Sequence, residues 1–487
     1  MSPAVRPFLL IPLALLTILA ACGRQPDYRS PDLSASLERE WQIAKSGHYS
    51  SEQPDNRWWD QFHDRQLSAL IDQLFTTNLA LKAARERVVE AMARRGVVAA
   101  DRQLQLAAAL GYTSTKTGKE TITMQRVPQN TKVEIYTVGT VADWELDLWG
   151  RIARLTEAAE ADIGAAYSDQ QAMRVSLAAE TALAYMELRT LEARRLTIDE
   201  DIALQQETVA LARDLYQAGN GTELAVVRSE QQLASTKARG FALDRDLSEV
   251  GNRINVLLGK PPGQVIIGPG TMPTPPRLIG LGLPADLLTR RADIHRQFEQ
   301  YRAELARVGA AKAERYPRLT ISGTLTLSSD TFGSVFDLDT MYYTVGPALQ
   351  LPLFTGGRIT SNIAMHTSRV EQARLTLEQQ IIEALAEVEK SGAGVIRSEQ
   401  QTEQLRQAEE AAQRSVALSQ DLYRHGLVDF FQVLDNQQRL VTSQESLLLA
   451  RQQELADVVA LYRALGGGWQ EKTTTEISGD QASTTQP

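Results

Sequence analysis

The sequence repeats itself at a fixed distance, and this constrains the fold more than any other feature. Tyr136-Thr137-Val138-Gly139 recurs as Tyr343-Thr344-Val345-Gly346, and Gly150-Arg151-Ile152 recurs as Gly357-Arg358-Ile359. Leu215-Tyr216 and Leu258-Gly259 recur at the same offset of 207 residues. Chance matches would not share one offset over so long a stretch. The chain is therefore a tandem duplication of a unit of about two hundred residues.

The duplication predicts the domain boundaries. The first repeat covers 58–259 and the second covers 285–466, each with a helix, two strands and a long helical hairpin. The linker 260–284 is dense in glycine and proline, which excludes the interior of a helix or sheet. The tail 467–487 is rich in Thr, Ser and Gln, a composition typical of disordered segments.

The N-terminus has the features of a bacterial lipoprotein precursor. Arg6 precedes an apolar run from Phe8 to Ala20, which is too short to span a membrane and suits a signal peptide. The run ends in Ala21 and Cys22, the only cysteine of the chain. We expect residues 1–21 to be a signal peptide, Cys22 to carry covalent lipid, and 22–57 to be a lipidated segment. An ordinary secretory signal followed by a coincidental cysteine is the alternative.

Four segments alternate apolar and polar residues with a period of two, the pattern of a strand with one apolar and one polar face. The alternation is clear in 103–114, 319–328 and 343–353, and weaker in 132–144. Lengths near ten residues, with tyrosine or tryptophan near the ends, are typical of transmembrane barrel strands. An amphipathic sheet in a soluble domain is the alternative.

Four strands are too few to close a barrel. They either pack on another part of the chain or are pooled by several chains, and the signal peptide and lipid site favour pooling. The loops 116–130 and 328–340 are polar, and we expect them at the cell surface.

Two segments are too long for helices of a globular core. From Arg151 to about Ala218 there is no proline and one glycine, Gly164, which predicts a helix about 100 Å long. The second repeat predicts a partner from Arg358 to about His425.

The composition of these helices favours packing on several neighbours. The first long helix is rich in alanine, which allows close packing on both sides, as the wall of a tube requires. In the last helix a coiled-coil seam is indicated by apolar residues every seven positions. These residues are Leu434, Val441, Leu448, Leu455 and Tyr462. A simple antiparallel coiled-coil protein is the alternative.

Both long helices are followed by matched turn signals. Gly219 and Gly426 suit the positive φ at a helix C-terminus. Three residues later, Thr222 and Asp429 are residue types that cap the start of the returning helix. Each repeat is thus predicted to end in a tight helical hairpin.

Composition excludes other classes of function. The net charge is −9 and no stripe of Lys and Arg is visible, which argues against a nucleic-acid partner. The five histidines are scattered, and no HExxH or CxxC pattern indicates a metal. No arrangement of nucleophile and base is visible, so we expect neither an enzyme nor a bound cofactor beyond the lipid.

From Cys22 to about Gly466 the chain resembles the TolC-like outer membrane factors, in particular the efflux lipoproteins of the OprM/NodT group. The segment 144–151 is close to the family's signature after the second strand. Ala292 stands where the family usually has proline, which puts the helix start there in doubt. The other motifs that carry the resemblance are Trp58-Trp59, Phe62, Asp64, Leu67, Leu70-Ile71, Asn78, Leu283-Pro284, Asp286-Leu287-Leu288, Arg291, Asp293-Ile294, Tyr316-Pro317, Pro352-Leu353-Phe354 and Gly356-Gly357-Arg358.

The resemblance implies a mainly α-helical fold with a β-barrel contribution. Three identical chains would pool their strands into one twelve-stranded transmembrane barrel, and their helical hairpins would form an α-barrel in the periplasm. A periplasmic adaptor and an inner-membrane pump of the RND type would be the partners. The implied function is passive passage of toxic compounds or drugs across the outer membrane. A duct for peptide or protein secretion, and a periplasmic coiled-coil scaffold, are the alternatives.

The resemblance also implies roles for particular residues. The turns at Gly219, Thr222, Gly426 and Asp429 would dock to the adaptor. The segment 431–435 aligns with the family's periplasmic constriction, where Phe431 and Asp435 share one helix face and would form a gate. Arg228, the repeat partner of Asp435, is expected to pair with it and help latch the gate. Ordinary packing and a solvated charge are the alternative roles.

Overall fold

A computed structural model describes residues 41–46, 48–116 and 132–467 of the chain. Cys22, the signal peptide, most of the first polar loop and residues 468–487 lie outside the described residues. Among the described helices, none has a stretch sufficiently long and apolar to traverse a membrane.

The described elements are mainly helical, and their order repeats. The helices are α1 (Arg65–Thr77), α2 (Leu79–Ala100), α3 (Arg151–Gln217), α4 (Glu223–Leu257), α5 (Leu287–Arg290), α6 (Ala292–Ala313), α7 (Arg358–Arg424) and α8 (Phe430–Ala464). The strands are β1 (Tyr49–Ser50), β2 (Gln105–Lys116), β3 (Lys132–Leu146), β4 (Ile279–Gly280), β5 (Arg318–Ser329) and β6 (Met341–Gln350). Short 3-10 helices lie at Gln42–Ser46, Trp58–Phe62, Pro284–Asp286, Phe332–Ser334 and Leu338–Thr340.

Contacts divide the chain into two units. The described part of the first unit, residues 88–116, 132–166 and 297–377, contains the four long strands. Here α6 packs on the start of α7 through Ala311, Ile359 and Ile363. The described part of the second unit is 41–46, 48–87, 167–296 and 378–467, and it contains both hairpin turns.

The long strands form one antiparallel sheet in the order β2-β3-β5-β6. Each repeat supplies one strand pair, and β3 joins β5 to connect the repeats. Consequently β2 and β6 are the edges of the sheet within one chain.

The strand predictions are confirmed, with shifts at the ends. The segment predicted at 343–353 ends as a strand at Gln350, because Pro352 has no backbone N–H to donate to a ladder. The short strands β1 and β4 also pair in parallel. Because β4 lies in the linker 260–284, the linker contains two strand residues that its glycine and proline content did not predict.

The long helices match their predicted bounds closely, at Arg151–Gln217 and Arg358–Arg424. The seven-residue seam of α8 holds only in part. Leu434 and Leu448 are half-buried, while their neighbours Val433 and Leu447 are buried instead. A helix with 3.6 residues per turn drifts from a strict seven-residue spacing. The seam positions that are buried are Val441, Leu455 and Tyr462.

An aromatic cluster anchors the N-terminal segment in the core of the second unit. Trp58 and Trp59 are buried, and Trp58 stacks on Tyr462 with 5.4 Å between ring centroids. Burial raises the pKa of Tyr462 to about 12. The family motif at 58–62 therefore serves packing between the start of the chain and the end of α8.

The mid-chain motif holds the start of α6. Arg291 is buried and its guanidinium donates to Asp293 at 2.6 Å, to Glu387 at 2.8 Å and to the carbonyl of Ala464 at 2.9 Å. Arg291 is extended, with φ −90 and ψ 119, and the helix begins at Ala292 without the proline.

Candidate functional site

The strand register aligns the alternating apolar and polar residues of all four strands, so that the sheet has two contrasting faces. One cross-strand row consists of Leu110, Val138, Leu327 and Met341. A row on the opposite face consists of Gln105, Asp143, Ser322 and Gly346. Glycine also keeps this second face small: a Cβ at Gly139 would lie 2.7 Å from the carbonyl oxygen of Leu325. The sheet thus has one mainly apolar face and one face on which small and polar residues predominate.

A network of polar contacts joins the sheet to the helices within the first unit. Asp147 accepts hydrogen bonds from the backbone N–H groups of Ile152 and Ala153, at the positive end of α3. Arg151 holds Glu145 with two hydrogen bonds, at 2.9 and 3.0 Å. The signature at 144–151 therefore fixes the direction in which the chain leaves the sheet.

The same junction contains an aromatic stack beside a cavity. Trp149 stacks on Tyr316 with 4.9 Å between centroids and donates to the carbonyl of Pro317 at 2.7 Å. The cavity has a volume of about 300 Å³, and its walls include Arg318 and Arg358. The family motifs include Trp149, Tyr316, Pro317 and Arg358, but not Arg318. The contacts link segments far apart in the chain, and no spacing rule predicted them.

The two hairpin turns have matching geometry. Gly219 has φ +73 and Gly426 has φ +71, the left-handed conformation that favours glycine. The Thr222 hydroxyl accepts from the N–H of Ala225 at 3.3 Å, and an Asp429 carboxylate oxygen accepts from the N–H of Gln432 at 3.0 Å. The predicted capping roles of these four residues are confirmed.

Apolar side chains are exposed next to both turns. Leu224 and Val227 follow the first turn, and Leu427 and Phe431 lie at the second, each more than half exposed. Isolated exposed apolar residues are ordinary, but clusters of them at hairpin ends are typical of contact surfaces. Each tip thus combines a capped turn with exposed apolar side chains.

The two residues predicted to form a gate, Phe431 and Asp435, lie at the start of α8. Phe431 is 59% exposed and Val433 is buried, as the helix-face argument predicted. The Arg228 guanidinium lies 5.6 Å from the centroid of the Phe431 ring, a cation–π contact between α4 and α8. Asp435 forms an ion pair with Arg439 at 2.8 Å, one turn further along α8.

Within one chain, Arg228 and Asp435 have other partners than each other, contrary to the expected pairing. The repeat offset suggested this pair, but in one chain Arg228 contacts Phe431, and Asp435 has a partner on its own helix. An intrahelical pair four residues apart forms at small entropic cost and wins over a pairing between helices. Beside it, Gln232 donates to Gln438 at 2.6 Å, a contact that sequence reasoning missed.

Within the part of the chain that the structure describes, no three His, Cys, Asp or Glu side chains lie together in a group that could hold a metal ion. The lipidation site Cys22 lies outside the described residues and stays a prediction.

Comparisons with known proteins agree on one kind of molecule. A family model described as "Outer membrane efflux protein" matches the chain twice, at residues 70–260 and 283–467. The two matches follow the same repeat that the sequence and the element order show.

Characterised relatives match the chain over nearly its whole length. The pyoverdine export outer membrane protein OpmQ of Pseudomonas aeruginosa is 27% identical over 457 residues, covering 93% of this chain and 95% of the relative. The cation efflux system protein CusC of Escherichia coli is 25% identical over 475 residues, covering 96% of this chain and all of the relative.

A solved structure shares the fold. The outer-membrane channel OprN superposes with a TM-score of 0.83 and 30% sequence identity, covering 92% of this chain and 100% of that chain.

Proposed function

Because the chain belongs to the outer membrane efflux protein family, we propose that three copies of it form a duct through the outer membrane that exports small toxic compounds. The chain is an efflux channel protein of the outer membrane, as its relatives are. The cargo passes through the bore, and no bond is made or broken.

The two-faced sheet is the observation that carries this proposal. In water an exposed apolar face across four strands is unfavourable, whereas in a bilayer it meets lipid. The unpaired edges of β2 and β6 would be satisfied if the edge of one chain pairs with that of the next. Three chains would supply twelve strands, with the small polar face turned to the bore.

The helical hairpins extend the proposal to partners. Their exposed apolar tips suit the helical tip of a periplasmic adaptor, which would join the duct to an inner-membrane pump of the RND type. The caps at Gly219, Thr222, Gly426 and Asp429 would hold the docking surface in place.

The named functions of relatives support small cargo. OpmQ is named for pyoverdine export and CusC for cation efflux, both small solutes compared with a protein. We therefore favour small-molecule efflux over peptide or protein secretion.

A charge placed on each sheet face tests the proposal. Leu325 lies on the apolar face of β5 and Thr324 is its neighbour on the polar face. Leu325→Arg is expected to abolish insertion, since an arginine facing lipid costs about 2–4 kcal/mol at mid-membrane. Thr324→Arg, the matched control, should insert and complement a deletion strain in drug-susceptibility assays at least in part. Equal insertion and export by both variants would refute a sheet with one face in lipid.

Lipidation at Cys22 is a separate proposal. Its support is the short apolar run that ends at the only cysteine. Cys22→Ser should lose incorporation of a radioactive fatty acid, while the sheet still holds the protein in the membrane. Undiminished label would refute the site.

A further inference from the structure

A buried carboxylate lies between the two helices of the first hairpin. The side chain of Asp201 on α3 is 4% exposed. One of its oxygens accepts from Gln205 Nε2 at 2.8 Å and from the Thr236 hydroxyl at 3.4 Å. Its ionic partner is Arg239 of α4, at 3.7 Å. An ionised group in such a place is costly unless it is well paired, and this pair is long.

The same arginine also reaches the second hairpin. Arg239 lies 3.8 Å from Glu445 of α8, and Arg194 of α3 lies 3.8 Å from the other oxygen of Glu445. The charged groups facing Asp201 thus come from three helices, with Arg194 on its own helix, Arg239 on α4 and Glu445 on α8. Arg239 is shared between the carboxylate of its own hairpin and that of the other.

The surroundings leave this network incompletely satisfied. Gln205 Oε1, Gln437 Oε1 and Arg194 Nε are buried and have no hydrogen-bond partner. Gln437 of α8 donates to the Thr208 hydroxyl of α3 at 3.4 Å. The contact between the first hairpin and α8 is therefore polar here, and its strength depends on how charge is distributed within it.

We propose that Asp201, Arg239 and Glu445 form a proton-responsive tie between the first hairpin and α8, which tightens when Asp201 binds a proton and loosens when Asp201 is ionised. When Asp201 is neutral, Arg239 interacts electrostatically with Glu445 alone. When Asp201 is ionised, it competes with Glu445 for Arg239. Because α8 also begins with the gate residues, the tie would oppose opening of the proposed duct; the inference rests on that proposed function.

The buried position of Asp201 means that it changes protonation state at a higher pH than an ordinary aspartate. Burial raises the pKa of Asp201 above its ordinary value, and the Gln205 hydrogen bond and the Arg239 charge only partly offset this. The folded unit favours the neutral form, so the stability that Asp201 contributes at low pH is lost as pH rises through the raised pKa.

Planar-bilayer recordings across pH test the tie. With the full-length protein, conductance is expected to rise with pH as Asp201 ionises, at a pH above the ordinary aspartate range. Asp201→Asn is permanently neutral and should lose this rise, staying at the low-pH conductance. Asp214→Asn, an exposed carboxylate on the same helix, should titrate like the unmodified protein. Glu445→Gln should conduct more at every pH and also lose the dependence. A rise in Asp201→Asn equal to that of the unmodified protein would overturn the proposal.

Thermal unfolding separates this inference from the duct itself. Absence of current from the unmodified protein would count against the proposed function alone. In that case Asp201→Asn should still unfold at a higher temperature than the unmodified protein near pH 8, with the difference vanishing at low pH. A lower or pH-independent difference would contradict the tie.

Discussion

The two long hairpins share a backbone design and differ in how their helices are joined. The outgoing helices α3 and α7 both have 67 residues, and the returning helices α4 and α8 both have 35. In the first hairpin, arginine–carboxylate pairs cross between the helices at successive levels. These pairs are Arg253–Glu187, Arg195–Asp244, Arg239–Asp201 and Arg213–Glu230.

In the second hairpin the arginines pair largely along their own helix. Examples are Arg374 with Glu371, Arg406 with Glu403 and Arg439 with Asp435. One pair that does cross, Arg463 with Glu387 at 3.4 Å, lies near the end of α8, far along the helix from the turn. Pairs within a helix stiffen that helix but do not resist separation from its neighbour.

After the duplication, the two hairpins have kept the same backbone design, while the side-chain pairs that join their helices have changed. Helix lengths and capped turns depend on glycine conformation and backbone hydrogen bonds, and they match in both repeats. Side-chain ties carry no such constraint and have diverged. We expect the first hairpin to be the stiffer one. The second, whose returning helix α8 has Phe431 in its first turn, should open more easily.

The largest expected effect concerns the predicted gate at Phe431 and Asp435. Phe431→Ala with Asp435→Ala removes the aromatic and acidic groups from the start of α8, and should raise single-channel conductance by more than about twofold, since dewetting and charge both restrict a narrow pore. It should also sensitise cells to large antibiotics such as vancomycin. Leu224→Ala, the repeat partner of Phe431, is the matched control. Equal changes from both variants would place the constriction elsewhere.

A charge reversal at the turn tests docking. Asp429→Arg replaces a short carboxylate with a long cationic side chain, so it loses the cap, at a cost of about 1 kcal/mol, and places positive charge at the tip. We expect export to be lost while the folded assembly remains. Thr222→Arg makes the same test at the first turn. Normal export from a well-folded Asp429→Arg protein would show that capping is the only role of this residue.

The smallest effect concerns the ties themselves. Arg195→Ala removes a pair that crosses to Asp244 at 2.8 Å, together with a pair to Asp199 on its own helix, and should destabilise the protein by up to about 1 kcal/mol. Arg406→Ala removes exposed pairs within α7 and should have a smaller effect on thermal unfolding. A larger loss from Arg406→Ala would reverse the proposed order of stiffness.

Backbone features were accessible from the sequence. Alternation located four strands, the absence of proline bounded α3 and α7, and Gly219 and Gly426 marked the turns. Each is a local signal, because strand period, helix interruption and positive φ depend on the residue types at the site itself.

Contacts between distant segments were not accessible in this way. Folding alone brings these groups together. Asp435 pairs with Arg439 and not with Arg228, and Arg239 is shared between Asp201 and Glu445, because several side chains compete for one partner. The pairing of β1 with β4 likewise joins segments far apart in the chain. The repeat offset suggested residues equivalent in position, and equivalence in a duplication does not imply contact.

The number of chains in the detergent-solubilised particle tests the central claim most directly. Four strands with two open edges, one mainly apolar face and two matched hairpins are what one chain would contribute to the wall of the proposed duct, which further copies would complete. Native mass spectrometry of the mature protein extracted in mild detergent is predicted to show a particle of three chains that persists on dilution. A particle of one chain that still inserts and exports would contradict the account.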